Sequence, residues 1–69
     1  MENETLTVVA EYNSAAEAEI ARTVLENAGI RSTIRNEYMA SIYPVGAMPA
    51  QVVVRAEEAG RAHELLQRR

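Results

Sequence analysis

"NSAAEAEIARTVLENAGI", running from Asn13 to Ile30, decides how the rest of the chain must fold. Ser14 can cap a helix, and Glu17 three residues later completes the spacing of a capping box. Ala21, Val24, Leu25 and Ala28, with Ile20 beside them, recur at helical spacing and form one apolar stripe. Gly29 follows as the left-handed stop. The segment reads as a helix with both ends marked, and its stripe has to be buried against something.

The flanking segments supply that something. Upstream, "TLTVVAEY" alternates as a strand from Thr5 to Tyr12. Its alternation assigns Leu6, Val8, Ala10 and Tyr12 to one face and Thr5, Thr7, Val9 and Glu11 to the other. Downstream, "IRSTIR" at 30–35 is a second strand, with Ile30 and Ile34 on one side and Arg31, Thr33 and Arg35 on the other. "QVVVR" at 51–55 is a third, with Val52 and Val54 inward and Gln51, Val53 and Arg55 outward. Residues 57–67 read as a second helix whose core side is Ala59, Ala62 and Leu66, with Leu65 flanking. Glu57 and Glu58 at its start and Arg68 and Arg69 at its end suit the helix dipole. Ala56 is a weak cap and Gly60 costs about 1 kcal/mol against alanine, so this helix is expected to be the less stable of the two.

The order is strand, helix, strand, long connection, strand, helix. Two amphipathic helices need to cover one face of the sheet, and the first strand–helix–strand unit is a right-handed crossover. The third strand then enters between the first two and pairs antiparallel with both, the split βαβ arrangement. The expected fold is therefore an α+β, ferredoxin-like two-layer sandwich, β-α-β-β-α. Its three-stranded antiparallel sheet has the order 1-3-2, with both helices on one face, in a single domain over 1–69. In that plan the strand from Thr5 to Tyr12 lies at an edge with unpaired backbone groups. A homodimer joined through that edge strand, or through the open sheet face, is expected.

Composition narrows the function classes. A chain of 69 residues holds one domain and buries only roughly 60% of the surface its unfolded form exposes. It has no cysteine, which excludes disulfides and thiolate zinc sites, and one histidine, which argues against an imidazole-held metal. No metal or cofactor is expected. The apolar fraction of 48% argues against disorder, but Phe and Trp are absent and alanine supplies much of it, so the core must be thin. Every acid is Glu and every base Arg. A net charge of −3 gives no general pull toward nucleic acid or anionic lipid. The acidic opening, Met1-Glu2-Asn3-Glu4, is unlike a signal peptide, and no apolar run approaches ~18 residues, so a cytoplasmic protein without a membrane span is expected.

Few residues could carry chemistry. His63 is the one histidine, the residue type most often used for proton transfer near neutral pH. Glu64 is adjacent but points elsewhere on a helix, and Glu58 and Arg61 are no better placed. No catalytic residue is assigned; a small enzyme using His63 with a nearby Glu is the alternative. Gly29, Gly46 and Gly60 make no phosphate motif. Arg31, Arg35 and Arg55 fall on the outward sheet face, with Glu11 to pair one of them. They could bind an anion, an acidic partner or nucleic acid. The outward residues of the third strand include no aromatic on which a base could stack, which weighs against the last.

The connection at 36–50, "NEYMASIYPVGAMPA", is longer than the ~12–15 residues beyond which loops are usually functional or disordered. It is also apolar, with Tyr38, Met39, Ile42, Tyr43, Val45 and Met48. Tyr38 and Ile42, and Met39 and Tyr43, stand at i,i+4, which suits a short helical turn opened by Asn36 and closed before Pro44. Two roles are open to it: a lid that completes a thin core, or an adaptable recognition surface for a protein or small ligand.

The stretch "VVAEYNSAAEA", the helix exit "EAEIARTVLENAGI" and the closing "VVVRAEEAGRAHELL" together resemble the small bacterial "putative signal-transducing protein" domains, a family of unknown function placed with GlnB-like, ferredoxin-like folds. The likeness covers nearly the whole chain. This sequence has "VGAMPAQ" where a Gly-Gly commonly precedes the third strand of that family. The resemblance implies the ferredoxin-like fold and a signalling role, and no catalytic residue. The expected function is a non-enzymatic binding or regulatory module. Its contact candidates are Tyr38, Met39, Ile42, Tyr43, Met48, Arg31, Arg35 and Arg55.

Overall fold

Ser14 starts the first helix as the sequence requires. Its extended backbone turns the Oγ back to accept from the amides of Ala16 at 3.1 Å and Glu17 at 3.3 Å. Two of the four N–H groups that a helix start leaves without partners are satisfied in this way. The other end closes at Gly29, whose φ of +85° only glycine adopts without strain. The Gly29 amide donates to the Glu26 carbonyl at 3.0 Å and the Ile30 amide to the Leu25 carbonyl at 2.9 Å. That is a Schellman closure, and it sets Ile30 against Leu25 as the chain leaves for the sheet. Both side chains are fully buried.

The computed structural model describes residues 5–36 and 49–68. The elements are β1 (Leu6–Tyr12), α1 (Ala15–Asn27), β2 (Ser32–Arg35) and β3 (Ala50–Arg55), then a 3-10 turn at Ala56–Glu58 and α2 (Ala59–Gln67). The sheet order is β1-β3-β2, and both pairings are antiparallel. This is the α+β, ferredoxin-like sandwich expected from the sequence. The second helix begins two residues later than expected. No side chain caps either the 3-10 turn or α2, so the tighter turn occupies the uncapped start.

The core lies between the sheet and the two helices. It consists of Ala18, Ala21, Leu25, Ile30, Ala50, Val52, Val54 and Ala62, half of them alanine. Small side chains let the helices approach the sheet closely, so little volume is enclosed. Val9, Ala10, Tyr12, Ile34, Ala59, Leu65 and Leu66 pack around this centre. The helices are also joined by a polar contact, in which Arg61 Nη2 on α2 donates to the Ala28 carbonyl at 2.9 Å. α1 has no basic residue in its own last turn, and Arg61 supplies the positive charge that this helix end favours.

One expectation fails in β1. Leu6, Thr7 and Val8 oppose Arg55, Val54 and Val53, but Ala10 opposes Val52, so Val9 is an extra residue in the ladder. Such a bulge reverses the alternation downstream of it. The four residues expected to share one face are split: Ala10 and Tyr12 face the helices, but Leu6 and Val8 do not. They are 51% and 38% exposed, and Val9 packs against the core in their place.

Candidate binding face

The sheet face away from the helices is built in three rows, fixed by strand register. Residues directly opposite one another across neighbouring strands share a face and lie within side-chain reach. Glu11, Gln51 and Arg35 form the first row, Val8, Val53 and Thr33 the second. Leu6 and Arg55 form the third, with Arg31 just before β2 on the same side as Thr33. The face is therefore polar at one end, apolar in the middle and basic at the other.

The rows differ in how far their polar groups are already paired. In the first, Gln51 Nε2 donates to Glu11 Oε2 at 2.9 Å. Glu11, expected to pair one of the arginines, meets Gln51 instead. In the third, Arg55 Nη2 stands 3.7 Å from Glu57 Oε2, a long contact between exposed groups that contributes little. Among the described residues no ion pair holds the exposed Arg31.

Arg31 and Arg55 are brought together in a cleft of about 410 Å³. Leu6, Glu26, Ser32, Thr33, Val53 and Val54 complete its lining. Glu26 lies near two cations but is already engaged, since Arg22 Nη1 reaches its Oε2 at 2.8 Å and Arg22 Nη2 reaches Glu19 Oε1 at 3.0 Å. The three form an i,i+3 and i,i+4 network on α1. A second cleft, of about 290 Å³, lies between α1 and β2, lined by Glu19, Arg22, Ser32, Thr33 and Ile34. Ser32 and Thr33 thus border both clefts. The Ser32 hydroxyl is buried and has no hydrogen-bond partner among the described residues.

The candidates read from the sequence separate here. Arg31 and Arg55 share the larger cleft, whereas Arg35 lies in the Gln51 row and lines neither cleft. Tyr38, Met39, Ile42, Tyr43 and Met48 fall outside the described residues. His63 is exposed on α2 and borders neither cleft. Among the described residues no group of three His or Glu side chains could hold a metal ion. Sequence reasoning missed Leu6, Ser32, Thr33 and Glu26 as lining groups. Leu6 was hidden by the bulge, and Glu26 reaches the cleft only because the Schellman turn folds the end of α1 back onto β2.

Among the described residues no helix is long and apolar enough to cross a membrane. Neither a search of curated proteins nor one of solved structures found a match to the chain. A family model described as "Putative prokaryotic signal transducing protein" matches residues 7–69, which spans every element of the fold from β1 to α2. By that match the chain belongs to the family of that description.

Proposed function

We propose that this protein is a non-catalytic binding module that transmits a signal through contacts made on the open face of its sheet. The observation that carries this reading is the arrangement of that face. Exposed Leu6 and Val8 surround a fully buried Val53, and arginines border them at the Leu6 end. Partly apolar, charge-rimmed surfaces of this kind suit protein contacts, where apolar centres supply affinity and charged rims supply orientation. The family's signal-transducing description points the same way. The apolar side chains Tyr38, Met39, Ile42, Tyr43 and Met48 belong to the same proposal on sequence grounds, as an adaptable contact segment beside the face. The working compartment in this reading is the cytoplasm.

Self-association through the open face is part of the proposal. The bulge at Val9 disturbs the regular row of backbone groups along β1, which disfavours continuous strand pairing there and favours the face carrying Leu6 and Val8. Light scattering across a concentration series tests this. The expected result is a mass that rises toward that of a dimer in the wild type and stays monomeric in Val8→Lys. A wild type that remains monomeric throughout, or a Val8→Lys variant that dimerises equally well, overturns dimerisation by this face.

A further inference from the structure

The two edges of the sheet are not equivalent. β1 carries a bulge at its middle, whereas β2 runs against β3 in unbroken register from Ser32 opposite Val54 to Arg35 opposite Gln51. β2 is also the outermost strand on its side among the described residues, so one row of its backbone groups faces away from the sheet. The clefts of about 410 and 290 Å³ share Ser32 and Thr33 of this strand, the first continuing to Val53 and Arg55 of β3 and the second to Glu19 and Arg22 of α1. A chain laid along the edge would project alternate side chains to opposite faces of the sheet, one set toward Arg31 and Thr33 and the other toward α1.

We propose that β2 is a docking strand: it takes an extended segment of a partner protein as an added strand, with an acidic side chain of that segment reaching Arg31 and Arg55. Backbone hydrogen bonds to an exposed edge supply the affinity in this mode of recognition, and pockets for alternate side chains supply the selectivity. Charge decides the occupant. The larger cleft presents the guanidinium of Arg31, which no carboxylate pairs among the described residues, beside that of Arg55, which lies 3.7 Å from Glu57, while the lining Glu26 is engaged by Arg22, so an acidic residue is favoured there over a neutral or basic one. A free small anion would use the arginines alone and leave the strand edge and the second cleft empty. The second cleft has the aliphatic Ile34 beside the paired Glu19 and Arg22, which suits a small apolar side chain. β2 has four residues, so the docked segment is short, about five residues in extended form.

This inference rests on the reading of the protein as a binding module, and its test is separate from the light-scattering test above. The full chain, labelled with nitrogen-15, is titrated with the blocked peptide acetyl-Thr-Val-Glu-Val-Thr-amide, and amide shifts are followed. Saturable shifts centred on Ser32, Thr33, Ile34 and Arg35 are expected. The same peptide with lysine in place of glutamate should bind about threefold more weakly, the order of one exposed charge pair. Arg31→Gln should weaken that preference, and Arg31→Gln combined with Arg55→Gln should abolish it, each variant being checked by the dispersion of its own spectrum. Inorganic phosphate at matched ionic strength should leave the β2 shifts in place. Four results overturn the proposal: no saturable shift on β2 up to millimolar peptide, shifts confined to β1, equal affinity for the two peptides, or displacement of the peptide by phosphate, which would make this a small-anion site. Dimerisation through Leu6 and Val8 alongside an unresponsive β2 would remove the docking strand and leave the binding module standing.

Discussion

The two faces of one strand make the instructive contrast in this molecule. β3 presents Val52 and Val54 to the helices and Val53 to the other side, and all three valines are buried. The inner pair belongs to the continuous core of Ala18, Ala21, Leu25, Ile30 and Ala62, whereas Val53 lies outside that cluster and has half-exposed Leu6 and Val8 near it. Equal burial of similar side chains therefore has different consequences. On the inner face it is closed on every side and stabilises the fold. On the outer face it is bordered by exposed apolar groups and arginines, which is why that face reads as a place of contact.

Substitutions on either side should separate the two roles. Leu25→Ala removes the largest helical side chain of the core, and it should lower the unfolding free energy by about 3 kcal/mol in urea titration. In so small a domain that is a large share of the total. A loss under 1 kcal/mol would mean the inner face is not the closed core described. Gly29→Ala should cost about 1 kcal/mol through backbone strain alone, since the space around an added Cβ at Gly29 is open. A neutral result there would deny the left-handed turn that sets Ile30 against Leu25.

Ser32→Ala should act in the opposite direction. The buried hydroxyl has no partner among the described residues, so its removal relieves a desolvation cost and should raise stability by about 1 kcal/mol. A destabilised Ser32→Ala variant would indicate that the hydroxyl is satisfied in solution. Least affected should be Leu6→Gln, at a half-exposed position on the outer face, with a change within about 0.5 kcal/mol. A loss comparable to that of Leu25→Ala would place Leu6 in the core and erase the contrast between the faces.

Much of this architecture was legible in the sequence because single residues carried it. Ser14 and Gly29 fixed both ends of α1 by local chemistry, and the stripe through Ala21 and Leu25 fixed the side that packs. The strand order followed from connection lengths and the need to cover one face. The facing of β1 was not legible, because Val8 and Val9 are the same residue and nothing in "TVVAE" marks which of them the ladder leaves out. The Arg61 contact to the Ala28 carbonyl was hidden for another reason. It joins groups 33 residues apart, and no local pattern encodes such a reach. The three arginines were correctly placed on the outer face, but only the assembled strands show that Arg31 and Arg55 share a cleft while Arg35 stands at the other end.

The division of the sheet into a closed face and an open one depends on which way Val8 and Val9 point. Methyl-to-methyl nuclear Overhauser contacts in the labelled full chain measure this directly. Val8 should show contacts to Val53 and none to Leu25 or Ala62, while Val9 shows contacts to the helix-side cluster. Val8 methyls in contact with Leu25 or Ala62, and Val9 turned toward Val53, would contradict the open face on which the functional reading stands.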